Sequence, residues 1–368
     1  MARKLRVGVI FGGRSGEHEV SLVSAKGIMG AMDKSKYEIV PIGITKQGRW
    51  IVDGDPMKAL EAMAAGKGDP EELPSGERGE LVPGVGANFP PVDVVFPVLH
   101  GPYGEDGTIQ GLLEMADIPY VGAGVLASAL GMDKALAKAV FASKGLPVVE
   151  HMILKRKEWE KDPEGVIERI EEKFDYPCFV KPANLGSSVG VSKVHNHSEL
   201  PKALALAARY DRKMLVERAV NKAREIECSV LGNDEPIASV PGEIIPCREF
   251  YDYRAKYIDD RSELLIPAPL SPELTKRVQE LSIAAYLAID CAGMARVDFL
   301  MDGDTKELFI SEVNTIPGFT PISMYPKLWE ASGISYSELI DRLIELAIER
   351  HADKSRSETS YSWMDDQG

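Results

Sequence analysis

The chain opens with Leu5 to Phe11 (LRVGVIF), a β-branched apolar run that breaks at Gly12-Gly13; the pattern predicts a buried strand. A helix is expected from about Ser21 to Met32 and a second strand at Tyr37 to Ile44. This strand–helix–strand order points to an α/β unit with a parallel sheet. Residues 64–91 are rich in Gly, Pro and Glu and read as a solvated insertion or long loop. Val92 to Leu99 then predicts another buried strand, ending at His100-Gly101. From Met132 the texture changes. A helix is expected over Met132 to Ser143, stopped by Lys144-Gly145. Phe179 to Pro182 and Met214 to Glu217 read as apolar strands that end on charge, and Glu225 to Leu231 and Met294 to Met301 add two more. Asp302-Gly303-Asp304 is a turn signal that folds Glu307 to Asn314 back as the second arm of a hairpin. A helix from about Tyr336 to Glu349 closes the folded part, and the polar stretch from His351 to Gly368 reads as a frayed tail.

A length of 368 residues fits two or three packed units. Hydrophobic residues make up 44% and charged residues 27%, which supplies real cores and excludes wholesale disorder. With 43 basic against 57 acidic residues the net charge is −14, which argues against a nucleic-acid partner. It leaves room for a local Lys and Arg cluster around an anionic substrate. Cys178, Cys228, Cys247 and Cys291 lack the spacing of a zinc or redox pair and read as reduced cysteines. The start of the chain does not resemble a signal peptide, and no apolar run approaches the ~20 residues that span a bilayer. The expectation is a cytoplasmic protein with no membrane partner.

Three segments bear chemistry. In the C-terminal hairpin, side chains alternate between faces, so Arg296 and Asp298 point the same way along their strand, as Glu312 and Asn314 do along theirs. The turn brings Asp298 within a residue or two of Glu312. Two carboxylates and an amide in strands of Val, Phe, Leu and Ile suit an all-oxygen site for Mg²⁺ with nucleotide phosphates. The competing reading is a set of solvated carboxylates on an edge hairpin. The second segment runs from Lys181 to Gly190 (KPANLGSSVG): a lysine at a strand end, then small residues able to lay N–H groups and hydroxyls along phosphate oxygens. An ordinary turn would have the same composition, and no Walker A loop occurs in the chain. Gly122-Ala123-Gly124 and the three residues after it mimic a dinucleotide fingerprint, yet no long apolar strand precedes them. The third segment is Gly12 to Ser21, a loop at the carboxyl end of a parallel-type strand, where open α/β sheets bind ligands. Its Glu17 would suit a substrate ammonium or, equally, serve as a favourable charge near a helix N-terminus.

The stretches EHEVS, LHGPYGEDGT, GMDKALAK, VKPANLGSSVGVSKV, REIECSVLGN, YDYRAKY, RVDF and EVNTIPGFTPIS occur in that order. Together they resemble the D-alanine–D-alanine ligases of the ATP-grasp superfamily, from about Lys4 to about Glu349, in the longer, insertion-bearing form. The resemblance implies a mixed α/β (α+β) ATP-grasp fold. Its units would be an N-terminal parallel α/β domain (1–125), a central lobe (126–219) and a C-terminal lobe (220–350) that sandwich ATP, with a polar tail at 351–368. It implies Lys134 and Lys181 as phosphate-gripping lysines, with Ser188 in the phosphate loop. Glu217, Val220 and Glu225 would hold adenine and ribose. Asp298, Glu312 and Asn314 would bind two Mg²⁺ (or Mn²⁺). Glu17, linked to Ser187 and Tyr257, would orient the first D-alanine, and Arg296 would neutralise the acyl phosphate and the later oxyanion. His100, Gly318 and Ser323 fall to substrate binding, and a mobile loop at about 246–262 would bring Lys256 to the γ-phosphate. The implied activity is ATP-dependent ligation of two D-alanines for peptidoglycan precursors by a cytoplasmic homodimer. A D-alanine–D-lactate ligase, another carboxylate–amine ligase and a non-catalytic nucleotide-binding regulator are the alternatives.

Overall fold

From Val7 to Phe11 the first strand is apolar and buried because both its faces are covered, as parallel strands require. The structure is a computed structural model that describes residues 3–67, 89–245, 263–320 and 322–358. The insertion at 64–91 therefore lies largely outside the described residues, as do the loop at 246–262 and the end of the tail. The N-terminal stretch contains β1 (Leu5–Gly12), α1 (His18–Ala31), β2 (Tyr37–Ile44), β3 (Trp50–Ile51), α2 (Pro56–Ala64), β4 (Val94–Val98), α3 (Thr108–Met115), α4 (Val125–Met132) and α5 (Lys134–Ser143). Its sheet has the order β3-β2-β1-β4, with β1 parallel to both neighbours.

A second stretch folds as β5 (His151–Lys155), α6 (Arg156–Lys161), α7 (Pro163–Lys173), β6 (Cys178–Pro182), β7 (Ser192–Val194), α8 (Leu200–Tyr210) and β8 (Lys213–Arg218). It forms an antiparallel sheet, β5-β8-β6-β7, packed on α7 and α8 through Val166, Ile170, Leu200 and Leu204. The third comprises β9 (Arg224–Gly232), β10 (Ile237–Ala238), β11 (Gly242–Ile245), β12 (Glu263–Leu265), α9 (Pro272–Ala288), β13 (Gly293–Met301), β14 (Leu308–Asn314), α10 (Met324–Ala331) and α11 (Tyr336–Lys354). Its sheet runs β12-β11-β9-β13-β14, all antiparallel, with β10 on β9. One face packs on α9 through Val278, Leu281 and Ala285. Along β13 burial alternates, so Arg296, Asp298 and Leu300 point to the opposite face.

Two helices differ from the sequence expectation. The helix expected over Met132 to Ser143 begins at Lys134: the Asp133 carboxylate accepts from the Ala135 and Leu136 N–H groups, both at 3.1 Å, and caps α5, while Met132 ends the separate helix α4. The last helix runs five residues past Glu349, to Lys354. Its extra turn is tied down: Arg350 stacks 4.4 Å from the Tyr120 ring centre and donates to the carbonyls of Tyr120 and Gly122, while Lys354 pairs with Glu114. The helix's apolar stripe, Leu339, Ile340, Leu343 and Ile344, shares a core with β1, β4 and α1, so the C-terminal segment returns to cover the N-terminal sheet. The Gly122–Gly124 turn follows an isolated bridge, Val95 to Tyr120, rather than a long strand.

Candidate active site

Between the central and C-terminal antiparallel sheets lies a cleft of about 580 Å³. Phe179, Val220 and Leu300 give it apolar walls, and Lys181, Glu217 and Glu225 line it as well. Lys181 sits on β6 and Glu217 on β8, and the register sets Phe179 opposite Glu217. The Glu217 carboxylate, 2% exposed, is gripped by Lys181 and lies 3.0 Å from Lys138 Nζ. Burial alone would raise its pKa; the two ammonium groups outweigh burial and bring it down to about 2. Lys134 begins α5 and projects to the same cleft, donating to the Leu185 carbonyl at 2.8 Å and pairing with Glu312 at 2.9 Å. Burial lowers its pKa, but Glu312 reverses the sign and holds the ammonium charged.

The loop after β6 turns through positive φ at Ser187 (50°) and Ser188 (56°), conformations uncommon for residues with a Cβ and concentrated at functional loops. The turn exposes Ser188 to the large cleft and Ser187 to both that cleft and a second cavity of about 120 Å³. In this smaller cavity the Ser187 hydroxyl donates to the Glu17 carboxylate, which stands at the start of α1. His100 is buried in the wall; its Nδ1–H donates to the Ile316 carbonyl at 3.2 Å and its Nε2 accepts from the Ser24 hydroxyl at 3.3 Å. Burial lowers its pKa against the pull of Glu17, so it stays neutral. Glu105 faces the same space and accepts the Gly101 N–H at 2.5 Å. Burial, and then the charge of Glu17, push its pKa up to about 8. On the far side, a Cβ on Gly318 would lie 2.7 Å from the Ser323 hydroxyl, so any larger residue there would have to turn that hydroxyl away. Thr320 N–H donates to the same hydroxyl at 3.0 Å.

The β13–β14 hairpin forms the floor. Asp298 pairs directly with Glu312 in register, and Arg296 with Asn314. Arg296 forks onto both oxygens of Asp298, each at 2.7 Å, and its Nε lies 3.0 Å from Glu227 on β9. Burial would lower its pKa, but Asp298 and then Glu227 keep it well above the ordinary arginine value. Asn314 donates to Asp298 at 2.9 Å. Among the described residues no three His, Cys, Asp or Glu side chains form a metal cluster by themselves. Two carboxylates and an amide oxygen side by side nevertheless fit a hard divalent cation whose remaining ligands come from phosphates.

The structure thus brings together Glu17, Ser187, Arg296, Lys134, Lys181, Ser188, Glu217, Val220, Glu225, Asp298, Glu312, Asn314, His100, Gly318 and Ser323 around two adjoining cavities. Tyr257 and Lys256 lie outside the described residues. Three participants escaped the sequence reading. Glu227 was signalled by its place two residues after Glu225, on the same face of a strand and between the buried Ile226 and Cys228. Lys138 was signalled by its place one helical turn after Lys134. Glu105 lies within the LHGPYGEDGT stretch but in a loop without periodicity to orient it.

Two antiparallel α+β lobes closing on a nucleotide-sized cleft, which opens onto an acid-lined cavity beneath a parallel α/β sheet, define an ATP-grasp protein of the ligase type. The chain belongs to the D-alanine–D-alanine ligase family: the family's N-terminal model matches residues 6–123 and its C-terminal model residues 140–345. It is 58% identical over 361 residues to the D-alanine–D-alanine ligase of Thermoanaerobacter pseudethanolicus, covering 96% of this chain and 99% of that one. The corresponding ligase of Chloroherpeton thalassium is 52% identical, with 95% and 98% covered. Among solved structures, the D-alanine–D-alanine ligase from Coxiella burnetii superposes with a TM-score of 0.81 at 40% identity, covering 96% and 97% of the two chains. The VanG D-Ala:D-Ser ligase from Enterococcus faecalis gives 0.79 at 38%, covering 94% and 100%. No helix among the described residues is long and apolar enough to cross a membrane.

Proposed function

We propose that the protein uses ATP to join two D-alanines into D-alanyl-D-alanine, for peptidoglycan precursor synthesis, through an acyl phosphate. One observation carries the reading: the nucleotide cleft and the small cavity share a wall made of Gly186, Ser187, Glu227 and Glu312. A phosphoryl group at the inner end of the first is therefore beside a carboxylate bound in the second. The first D-alanine's carboxylate oxygen attacks the γ-phosphorus and ADP leaves; the second D-alanine's amine then attacks the acyl carbon, and inorganic phosphate leaves. Catalysis of the first step is positioning and charge neutralisation.

In this reading Glu17, held by the Ser187 hydroxyl, receives the first D-alanine's ammonium. Lys134 exchanges Glu312 for phosphate oxygens, and Lys181 does so from Glu217. Asp298, Glu312 and Asn314 would hold two Mg²⁺ or Mn²⁺, which would supply charge neutralisation for the nucleotide phosphates. Arg296, fixed by Asp298 and Glu227, meets the oxyanion that develops at the acyl carbon. Gly318 and Ser323 receive the second D-alanine's carboxylate, and His100 closes the wall between the two amino acids. Lys256 and Tyr257 keep their roles from the sequence resemblance alone, as do the homodimer and the cytoplasmic location. The test is to incubate the protein with ATP, Mg²⁺ and D-alanine. Dipeptide, ADP and phosphate are expected in equal amounts. The D-Ala:D-Ser ligase among the similar structures makes the second amino acid the point of attack: with D-serine or D-lactate added at equal concentration, dipeptide of D-alanine should still dominate, and a mainly mixed product overturns the reading.

A further inference from the structure

Helix α5 sets two lysines on one face, at Lys134 and Lys138, and each bridges the two lobes. Lys134 links the Leu185 carbonyl of the central lobe to Glu312 on β14. One turn deeper, Lys138 Nζ lies 3.0 Å from Glu217 on β8 and donates to the Ile310 carbonyl of β14 at 3.4 Å. The two differ in access. Lys134 lines the nucleotide cleft, whereas Lys138 is 1% exposed, does not line it and has no route to a phosphate. A buried ammonium is tolerated only against a fixed counter-charge, and Glu217 supplies it. Glu217 in turn does reach the cleft, between the apolar walls that suit a flat base. Its Oε1 faces Lys138 and has no exposed surface, while Oε2 is held by Lys181, so the acceptor open to a base is the Oε2 that Lys181 gives up, and a carboxylate oxygen has two lone pairs.

We propose that Lys138 is a positioning residue for nucleobase recognition: from beneath the cleft it holds the Glu217 carboxylate ionised and oriented, with an acceptor presented to the exocyclic amino group of adenine. This rests on the ATP-dependent reading given above. The consequence is purine discrimination. Inosine triphosphate bears a carbonyl oxygen where adenine has its amino group, and that oxygen would face an anion with no proton to share. Lys181 cannot substitute for Lys138, because phosphate draws its ammonium away when nucleotide binds.

The test compares wild type, Lys138→Met and Lys138→Arg by calorimetric titration with ATP and with inosine triphosphate, without D-alanine, and by steady-state kinetics. Loss of a buried acceptor's orientation should weaken ATP binding in Lys138→Met by about tenfold or more, and should shrink the ATP preference by a similar factor. The KM for D-alanine should change less than about twofold, since the amino-acid cavity is untouched, and Lys138→Arg should recover most of the ATP preference. If Lys138→Met proves unstable, the double variant Lys138→Met/Glu217→Gln removes both buried charges, and the proposal requires that it fold yet bind the two nucleotides alike. Unchanged ATP preference in a folded Lys138→Met protein, or a fall in kcat alone with both nucleotide affinities intact, overturns the proposal. A wild-type protein that discriminates between the nucleotides but forms no dipeptide overturns the ligase reading and leaves this one standing.

Discussion

The two adjoining cavities are built on opposite electrostatic plans. In the larger, ammonium groups and carboxylates are matched: Lys134 with Glu312, and Lys181 with Glu217, which Lys138 also holds from beneath the cleft. In the smaller, the described residues place four carboxylates, Glu17, Glu105, Glu227 and Glu312, around one guanidinium, Arg296, which is already committed to Asp298 and Glu227. Burial, and then the charge of Glu17, raise Glu105 to about 8, so it keeps its proton at neutral pH. The contrast follows from what each cavity is to receive. A phosphate chain brings negative charge, so its cleft stores cations on carboxylates that can release them. An amino acid brings an ammonium, so its cavity is left short of cations.

The comparison breaks most visibly at Arg296, the one cation of the smaller cavity among the described residues. Arg296→Met should lower kcat by about 100- to 1000-fold, the usual loss for one oxyanion partner, while the KM for ATP moves little. It also strands Asp298 and Glu227 inside the protein, so denaturant unfolding should show a loss of about 3–5 kcal/mol. A variant with near-native turnover would remove Arg296 from the chemistry.

Glu17 tests the acid excess directly. Its contact with an ammonium is charge-assisted, worth about 1.5–3 kcal/mol, so Glu17→Gln should raise the KM for the first D-alanine by about 10- to 150-fold. The KM for ATP should stay within about twofold, because Glu17 does not line the nucleotide cleft. Equal changes in both constants would reduce Glu17 to a charge at a helix terminus.

Glu105 sharpens the contrast through pH. Burial comes first and Glu17 second in raising it to about 8, Glu312 adds to the rise, and the Gly101 N–H and Lys134 oppose it. Above the ordinary carboxylate range the unfolded chain has released this proton while the folded chain still holds it. Stability must therefore fall as pH rises from about 4.5 to about 8. Glu105→Gln keeps an acceptor for the Gly101 N–H and removes the titration, so its Tm should gain on wild type across that window and match it at lower pH. Parallel Tm profiles for the two proteins would show that the carboxylates do not share the cavity as described.

How far the sequence could be read depended on periodicity. Strand alternation places Asp298 opposite Glu312, and the β1 run and the hairpin turn are legible from side-chain type alone. What the residues could not show was which charges from distant strands meet. Glu227 joins Arg296 because β9, more than sixty residues earlier, pairs with β13, and no local pattern encodes that neighbour. Helix α4 was missed, and the start of α5 was placed two residues early, because the two short helices share one apolar texture and a single side chain turning back on the backbone separates them. The extra turn of α11 depends on Arg350 finding Tyr120, a tertiary contact that overrides a polar, aperiodic sequence.

The smallest expected effect lies at the rim of the nucleotide cleft. Lys222 lines it and pairs with Asp304 at 2.9 Å, yet the two side chains are 70% and 54% exposed, against 13% and 3% for Lys181 and Glu217. If matched charge mattered by mere presence, the two pairs would be equivalent. Screening by water says otherwise: an exposed pair is worth at most about 1 kcal/mol and fades with salt. Lys222 also adopts a positive φ of 44°, so the substitution must leave the backbone demand alone, and glutamine does so while removing the charge. Lys222→Gln should shift stability by no more than about 0.5 kcal/mol at low salt and by nothing measurable at high salt, with the KM for ATP unchanged within about twofold. A large, salt-resistant rise in that KM would mean that the rim, and not only the buried floor, grips the phosphates, and the matched-charge description of the cleft would have to extend to its mouth.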